Sequence, residues 1–115
     1  MERFLNSFIY AFKGLIYAFK TQLNFKIHCV AAILAIALGL FVHLSIAEWV
    51  WIGMCIGLVM IIELLNTAVE VLVDLISPEK QPKAGAIKDL AAAAVLISVL
   101  VALTIGLFIF IPKFI

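Results

Sequence analysis

Three long apolar stretches dominate the chain, and short polar segments separate them. The stretches run over about 29–47, 49–73 and 90–111. Each approaches or exceeds the length of about 20 residues that a helix needs to cross a bilayer. The pattern therefore predicts three membrane-spanning helices in a single domain that covers residues 1–115.

Residues 2–26 follow a different pattern, in which large apolar side chains recur at helical spacing on one face. These apolar residues are Phe4, Leu5, Phe8, Ile9, Phe12, Leu15, Ile16 and Phe19. Asn6, Lys13 and Lys20 lie seven residues apart on the opposite face. The pattern predicts an amphipathic helix on the membrane surface. A cleavable signal peptide is disfavoured because Lys13 interrupts the apolar region.

Composition agrees with a membrane protein rather than a soluble one. Of the 115 residues, 67% are hydrophobic and 13% are charged, and the mean hydropathy is +1.29. Because a soluble domain is only roughly half apolar, we predict an all-α integral membrane protein. The net charge of +1 gives no reason to expect a nucleic-acid partner. His28 and His43 are interpreted as residues of the two membrane interfaces.

The basic residues predict how the chain is oriented in the membrane. Seven of the eight Lys and Arg residues precede the first span or lie between the second and third, namely Arg3, Lys13, Lys20, Lys26, Lys80, Lys83 and Lys88. The turn at 43–48 contains no Lys or Arg. The positive-inside rule therefore predicts that the N-terminus and the 75–89 loop are cytoplasmic.

A stripe of polar residues lies at the end of the second apolar stretch. Because Glu63, Asn66, Glu70 and Asp74 are spaced by three, four and four residues, they share an arc of roughly 80° on a helix. The residues between them are mostly Leu, Val and Ala, so this is not an ordinary solvated face. A carboxylate on a membrane helix costs about 2–3 kcal/mol or more without a partner, water or a cation. The stripe suggests a site for metal, phosphate chemistry or proton transfer.

Each of these polar residues also has an ordinary structural interpretation. Glu63 is a proton acceptor or metal ligand, or it pairs with a lysine of the surface helix. Asp74 belongs to the same site, or it ends its helix near Lys80. Lys88 and Asp89 bind a nucleotide, or they are charges at the start of the third span. No glycine-rich phosphate loop is present, so nucleotide chemistry would need another arrangement.

Three motifs resemble those of the prokaryotic diacylglycerol kinase family of small membrane lipid kinases. They are Glu63-x-x-Asn66-Thr67-Ala68-x-Glu70-x-x-x-Asp74, Lys88-Asp89 with the following Ala91–Val95 run, and Lys13-Gly14-Leu15 with Asn24-Phe25-Lys26. The resemblance covers essentially the whole chain. The stretches 25–28 and 109–113 are more similar to the undecaprenol-kinase branch than to the enterobacterial diacylglycerol kinases.

The resemblance implies a homotrimer of three-span subunits in the bacterial cytoplasmic (inner) membrane. It implies that Mg²⁺ and ATP are used to phosphorylate a lipid alcohol, either undecaprenol or diacylglycerol. By motif position, Glu63 is the expected catalytic base, and Glu70 binds the metal that bridges the ATP phosphates. The residues expected on the nucleotide side are Arg3, Tyr10, Asn66, Glu70, Asp74, Glu79, Lys88 and Asp89. Arg3 and Ala92 are also expected near the lipid, together with Glu63.

One expected metal ligand departs from the family pattern. Gln22 stands where the family usually has a second metal-binding Glu in the surface helix. A Gln carbonyl oxygen can still bind Mg²⁺, but it brings no negative charge. Ala92 stands where some members have Ser.

Two other classes of function stay open at this point. One is a non-catalytic membrane helical bundle whose acidic stripe pairs with lysines of neighbouring subunits. The other is an ion or proton pathway, because aligned carboxylates on a membrane helix also suit transport. Against a pathway, no charged residue continues the stripe through 49–62.

Overall fold

The computed structural model describes all residues 1–115 and consists of four α-helices with no strand. The helices are α1 (Glu2–Thr21), α2 (Leu23–Val42), α3 (Ile46–Ile76) and α4 (Pro82–Phe114). The last three are each long and apolar enough to cross a membrane. The predicted all-α membrane fold, with one helix before three spans, is confirmed.

The helix bounds differ from the predicted ones because hydropathy does not record where helices begin and end. The predicted surface helix ended at residue 26, but α1 ends at Thr21. Gln22 then has an extended backbone, with φ −115° and ψ 110°, and residues 23–26 open α2. The third span begins at Pro82 rather than at 90, because the fixed φ of proline suits the first turn of a helix. The same helix continues past the predicted end at 111 to Phe114 and includes Pro112.

A tight turn joins α2 to α3, and it places the end of the first span at Val42 rather than at 47. His43 has φ 57° and ψ 64°, the left-handed conformation that commonly ends a helix. Its backbone N–H donates to the carbonyl oxygen of Gly39. A Cβ atom on Gly39 would lie 2.7 Å from the ring of Trp49, so this glycine permits close packing of the two helices. The turn makes α2 and α3 antiparallel neighbours.

The second span begins at a capping box, which explains why α3 starts before the predicted residue 49. The Ser45 hydroxyl accepts from the Glu48 backbone N–H at 3.2 Å, and Glu48 Oε1 accepts from the Ser45 N–H at 2.9 Å. These two bonds satisfy donors at a helix start that would otherwise be unpaired. Lys113 Nζ lies 3.0 Å from the same Glu48 oxygen and joins the end of α4 to the start of α3.

The four helices form an open, flat arrangement rather than a compact bundle. The chain measures 52 × 42 × 20 Å, and its radius of gyration of 17.0 Å exceeds the value of about 13 Å expected for a compact chain of this length. The most extensive helix contact is between α3 and α4. Only 12 of the 115 residues are buried, so most apolar side chains are available to lipid or to other copies of the chain.

Candidate active site

The polar stripe of α3 runs from a buried end to an exposed end. Glu63 is 1% exposed and Asn66 is 7% exposed. Glu70 is half-buried, and the side chain of Asp74 is 66% exposed. The stripe therefore joins the apolar interior to the membrane surface where α2 and α4 begin and α3 ends.

Glu63 is a buried carboxylate whose oxygens lack hydrogen bonds within the chain. Its nearest ionisable partner is His28, whose Nε2 lies 3.5 Å from Glu63 Oε2. No lysine of α1 pairs with Glu63, so that structural interpretation is wrong for the single chain. A buried charge without full compensation is costly and is typical of functional sites. Burial and unpaired oxygens are the features expected of a carboxylate that accepts a proton.

His28 is the residue of this region that sequence reasoning missed as a candidate. Sequence reasoning interpreted it as a residue of the membrane interface. Its contact with Glu63 depends on the antiparallel packing of α2 on α3, which a local pattern does not show. The sequence signal that could have found this contact was the predicted orientation, which places both His28 and Glu63 towards the ends of their spans that are predicted to be cytoplasmic.

Asn66 and Glu70 place two side-chain oxygen donors close together further along α3. The Asn66 Nδ2 group donates to Glu70 Oε1 at 3.2 Å, and the buried Asn66 Oδ1 has no partner. Mg²⁺ prefers carboxylate and carbonyl oxygens of this kind, and it usually completes its shell with phosphate oxygens and water. No three His, Cys, Asp or Glu side chains converge as a complete cation site in the single chain. The pair suits a magnesium ion that arrives with the phosphates of a nucleotide.

Lys88 of α4 meets the exposed end of the stripe. Its Nζ lies 2.5 Å from Oδ1 of Asp74. Asp74 does lie in the last turn of α3, which ends at Ile76, but the lysine that forms its ion pair is Lys88 and not Lys80. An exposed ion pair contributes only about 0–1 kcal/mol, so Lys88 can exchange this carboxylate for a phosphate at little cost.

The remaining predicted residues make no side-chain bond to the stripe within one chain. Arg3 and Tyr10 are exposed on α1, and Asp89 and Ala92 are exposed on α4. Glu79 contributes only its backbone oxygen, which accepts from Ser77 Oγ at 3.0 Å. Gln22 is half-buried at the junction of α1 and α2. No side-chain hydrogen bond or ion pair joins any of these residues to the stripe.

An apolar groove of about 400 Å³ lies between α2, α3 and α4. Fifteen of its seventeen lining residues are hydrophobic, and they include Leu38, Ile52, Met60 and Phe110. His28 is the only lining residue with a polar side chain. The groove therefore leads along the spans to the histidine that contacts Glu63.

A buried carboxylate beside an apolar groove between three membrane-spanning helices is the arrangement expected of a membrane enzyme that acts on a lipid. Residues 9–110 match the sequence model of the family described as prokaryotic diacylglycerol kinase. The chain belongs to this family, and it is a multi-pass membrane lipid kinase that catalyses ATP-dependent phosphoryl transfer. The resemblance to this family is confirmed.

Individual relatives carry two different names. An undecaprenol kinase of Bacillus subtilis (strain 168) is 43% identical over 113 residues, which cover 98% of this chain and 92% of the relative. A diacylglycerol kinase of Escherichia coli (strain K12) is 37% identical over 93 residues, covering 81% of this chain and 76% of the relative. A diacylglycerol kinase of Synechocystis is 41% identical over 103 residues, covering 89% of this chain but 59% of the longer relative.

Proposed function

We propose that this kinase transfers the γ-phosphoryl group of Mg-ATP to undecaprenol at the cytoplasmic membrane surface. The observation that carries the proposal is the apolar groove whose single polar side chain touches the buried carboxylate of Glu63. Such a groove suits a long hydrocarbon chain with one hydroxyl at its end. The nearly full-length similarity to an undecaprenol kinase favours this lipid, and diacylglycerol is the second candidate.

Glu63 has the catalytic role in this proposal. As the hydroxyl oxygen of the lipid attacks the γ-phosphorus, a new O–P bond forms and the bond to the ADP oxygen breaks. Glu63 takes up the hydroxyl proton, because its oxygens are unpaired and shielded from bulk water. Phosphoryl transfer depends mainly on alignment and on charge neutralisation, which a site of few residues can supply.

The nucleotide side of the site consists of the more exposed residues. Glu70 and the free Oδ1 of Asn66 would hold Mg²⁺, with Gln22 as a neutral ligand. When bound, Mg²⁺ neutralises charge that develops on the transferring phosphates. Lys88 would leave Asp74 to meet a phosphate oxygen. The other residues proposed on this side are Arg3, Tyr10, Glu79 and Asp89, and Ala92 is proposed beside the lipid.

We further propose that the working unit is a homotrimer in the bacterial inner membrane, with the N-terminus in the cytoplasm. Two features of the single chain support an assembly. Arg3, Tyr10 and Gln22 make no side-chain bond to the stripe, so a neighbouring copy could bring such residues to it. The flat chain also leaves room beside α3, where a Cβ atom on Gly53 or Gly57 would meet nothing within 4 Å.

An ATP-consumption assay on the purified protein tests the proposed function. Undecaprenol and diacylglycerol are offered in parallel, and the phosphorylated lipid is identified by mass spectrometry. Turnover with undecaprenol above that with diacylglycerol is expected, and the reverse order would make diacylglycerol the acceptor. Turnover with neither lipid would contradict the proposal and favour a membrane protein without this activity.

A further inference from the structure

His28 lies between the groove and the proposed base. Its side chain forms part of the groove wall, whereas Glu63 does not line the groove. Its Nε2 lies 3.5 Å from Glu63 Oε2. A hydroxyl group at the polar end of the groove therefore meets the imidazole of His28 before it meets the carboxylate of Glu63.

The two nitrogens of the imidazole allow His28 to bond a hydroxyl group in the groove and the Glu63 carboxylate at the same time. No side-chain hydrogen bond of the chain uses His28 Nδ1. In a neutral imidazole one nitrogen donates and the other accepts, and the contact with a carboxylate favours the proton on Nε2. Nδ1 is then left as the acceptor for a hydroxyl group in the groove.

We propose that His28 relays the proton of the lipid hydroxyl to Glu63, an inference that rests on the proposed function. The O–H bond of the lipid breaks and its proton passes to Nδ1 of His28. The proton on Nε2 passes to the Glu63 carboxylate, so the imidazole stays neutral and only its tautomer changes. The hydroxyl oxygen is freed to form its bond to the γ-phosphorus, and ADP leaves.

Conservative substitutions separate a relay from a structural contact. His28→Gln keeps an amide near the position of Nε2, so it can donate to Glu63, but an amide cannot carry a proton between two groups. We expect kcat of His28→Gln to fall roughly a hundredfold, with the KM for ATP within about twofold of the wild-type value. If the contact is purely structural, His28→Gln should instead keep the wild-type kcat.

Chemical rescue gives a second and independent measurement. In His28→Ala, added imidazole should restore turnover several-fold, because it can occupy the vacated space and carry the proton. Imidazole should not restore Glu63→Ala, which lacks the final proton acceptor. His43→Asn is the matched control, since His43 lies at the opposite end of α2 and Asn tolerates its left-handed backbone.

The outcomes distinguish this inference from the proposed function. Loss of kcat in His28→Gln, with imidazole rescue of His28→Ala, supports the relay. An active wild-type enzyme with an equally active His28→Gln variant overturns the relay alone. A wild-type enzyme that phosphorylates neither lipid overturns both proposals. If His28→Ala does not fold, kcat of the nearly isosteric Gln variant decides.

Discussion

Lys113 Nζ lies 3.0 Å from Glu48 Oε1, and this ion pair joins the end of α4 to the first turn of α3. Glu48 also completes the capping box with Ser45, so one carboxylate both caps the start of α3 and pairs with a lysine of α4. At the other end of the same helix pair, Lys88 meets Asp74. An ion pair therefore joins the antiparallel helices α3 and α4 at each end, and the Lys88 pair lies at the exposed end of the polar stripe.

The double role of Glu48 predicts that its loss is more harmful than the loss of Lys113. Lys113→Ala removes only a partly exposed ion pair, which is expected to cost at most about 1 kcal/mol. Glu48→Ala also removes the carboxylate half of the capping box and leaves the Ser45 backbone N–H unpaired, so it should lower the melting temperature further. Thermal unfolding in detergent is measured for the two single variants and for the double variant. This double-mutant cycle separates the contribution of the ion pair to stability from that of the capping box. Equal effects of the two single variants would contradict this view of Glu48.

Gly39 is expected to be intolerant of a side chain. A Cβ atom there would lie 2.7 Å from the Trp49 ring and 2.8 Å from Leu44, so Gly39→Ala should destabilise the α2–α3 hairpin by about 1–3 kcal/mol. Gly14→Ala is the matched control, because nothing lies within 4 Å of its Cβ position. The control should keep or slightly raise the melting temperature, since Ala favours a helix more than Gly. Similar losses in both variants would mean that Gly39 is not a packing contact.

Replacement of the buried carboxylate tests the base directly. Glu63→Gln keeps the shape of the side chain but cannot take up a proton, so turnover should fall by roughly a hundredfold or more. Nucleotide affinity should change little, because Glu63 is not assigned to the phosphates. Single-turnover kinetics and equilibrium nucleotide binding measure the two quantities. A folded Glu63→Gln variant with near-normal turnover would remove this residue from the mechanism.

A magnesium titration tests Gln22, the proposed neutral ligand of the metal. Gln22→Glu adds a negative charge, so the Mg²⁺ concentration for half-maximal activity should fall. Glu70→Gln removes the proposed carboxylate ligand and should largely abolish metal-dependent activity. Both variants are titrated at fixed ATP and lipid. An unchanged curve for Gln22→Glu would place Gln22 outside the metal site while leaving the role of Glu70 intact.

Accessible cysteines test the orientation of the spans. In a background with Cys29 and Cys55 replaced by alanine, single cysteines are placed at Lys83 in the predicted cytoplasmic region and at Ile46 beyond the α2–α3 turn. Ile46 is 85% exposed, and its use leaves the capping residue Ser45 unchanged. A membrane-impermeant thiol reagent on intact cells should label position 46 and spare position 83. Labelling of position 83 alone would reverse the orientation.

Much of the architecture was predictable because its signals are local. Hydropathy over about 20 residues marks a span, and helical periodicity marks the amphipathic α1. The spacing from Glu63 to Asp74 places four polar residues on one face of α3 whatever lies beside that helix. Helix ends were less predictable, because the left-handed His43 and the capping box at Ser45 involve only a few polar atoms each.

The partners of those polar residues depended on the tertiary structure. Glu63 could have met a lysine of α1, but the packing of α2 against α3 brings His28 to it. Asp74 could have met Lys80, but it meets Lys88 at the start of α4. A sequence pattern determines which face of a helix a residue occupies. Which neighbour faces that residue depends on the register between helices, which is decided by interhelical contacts such as Trp49 on Gly39.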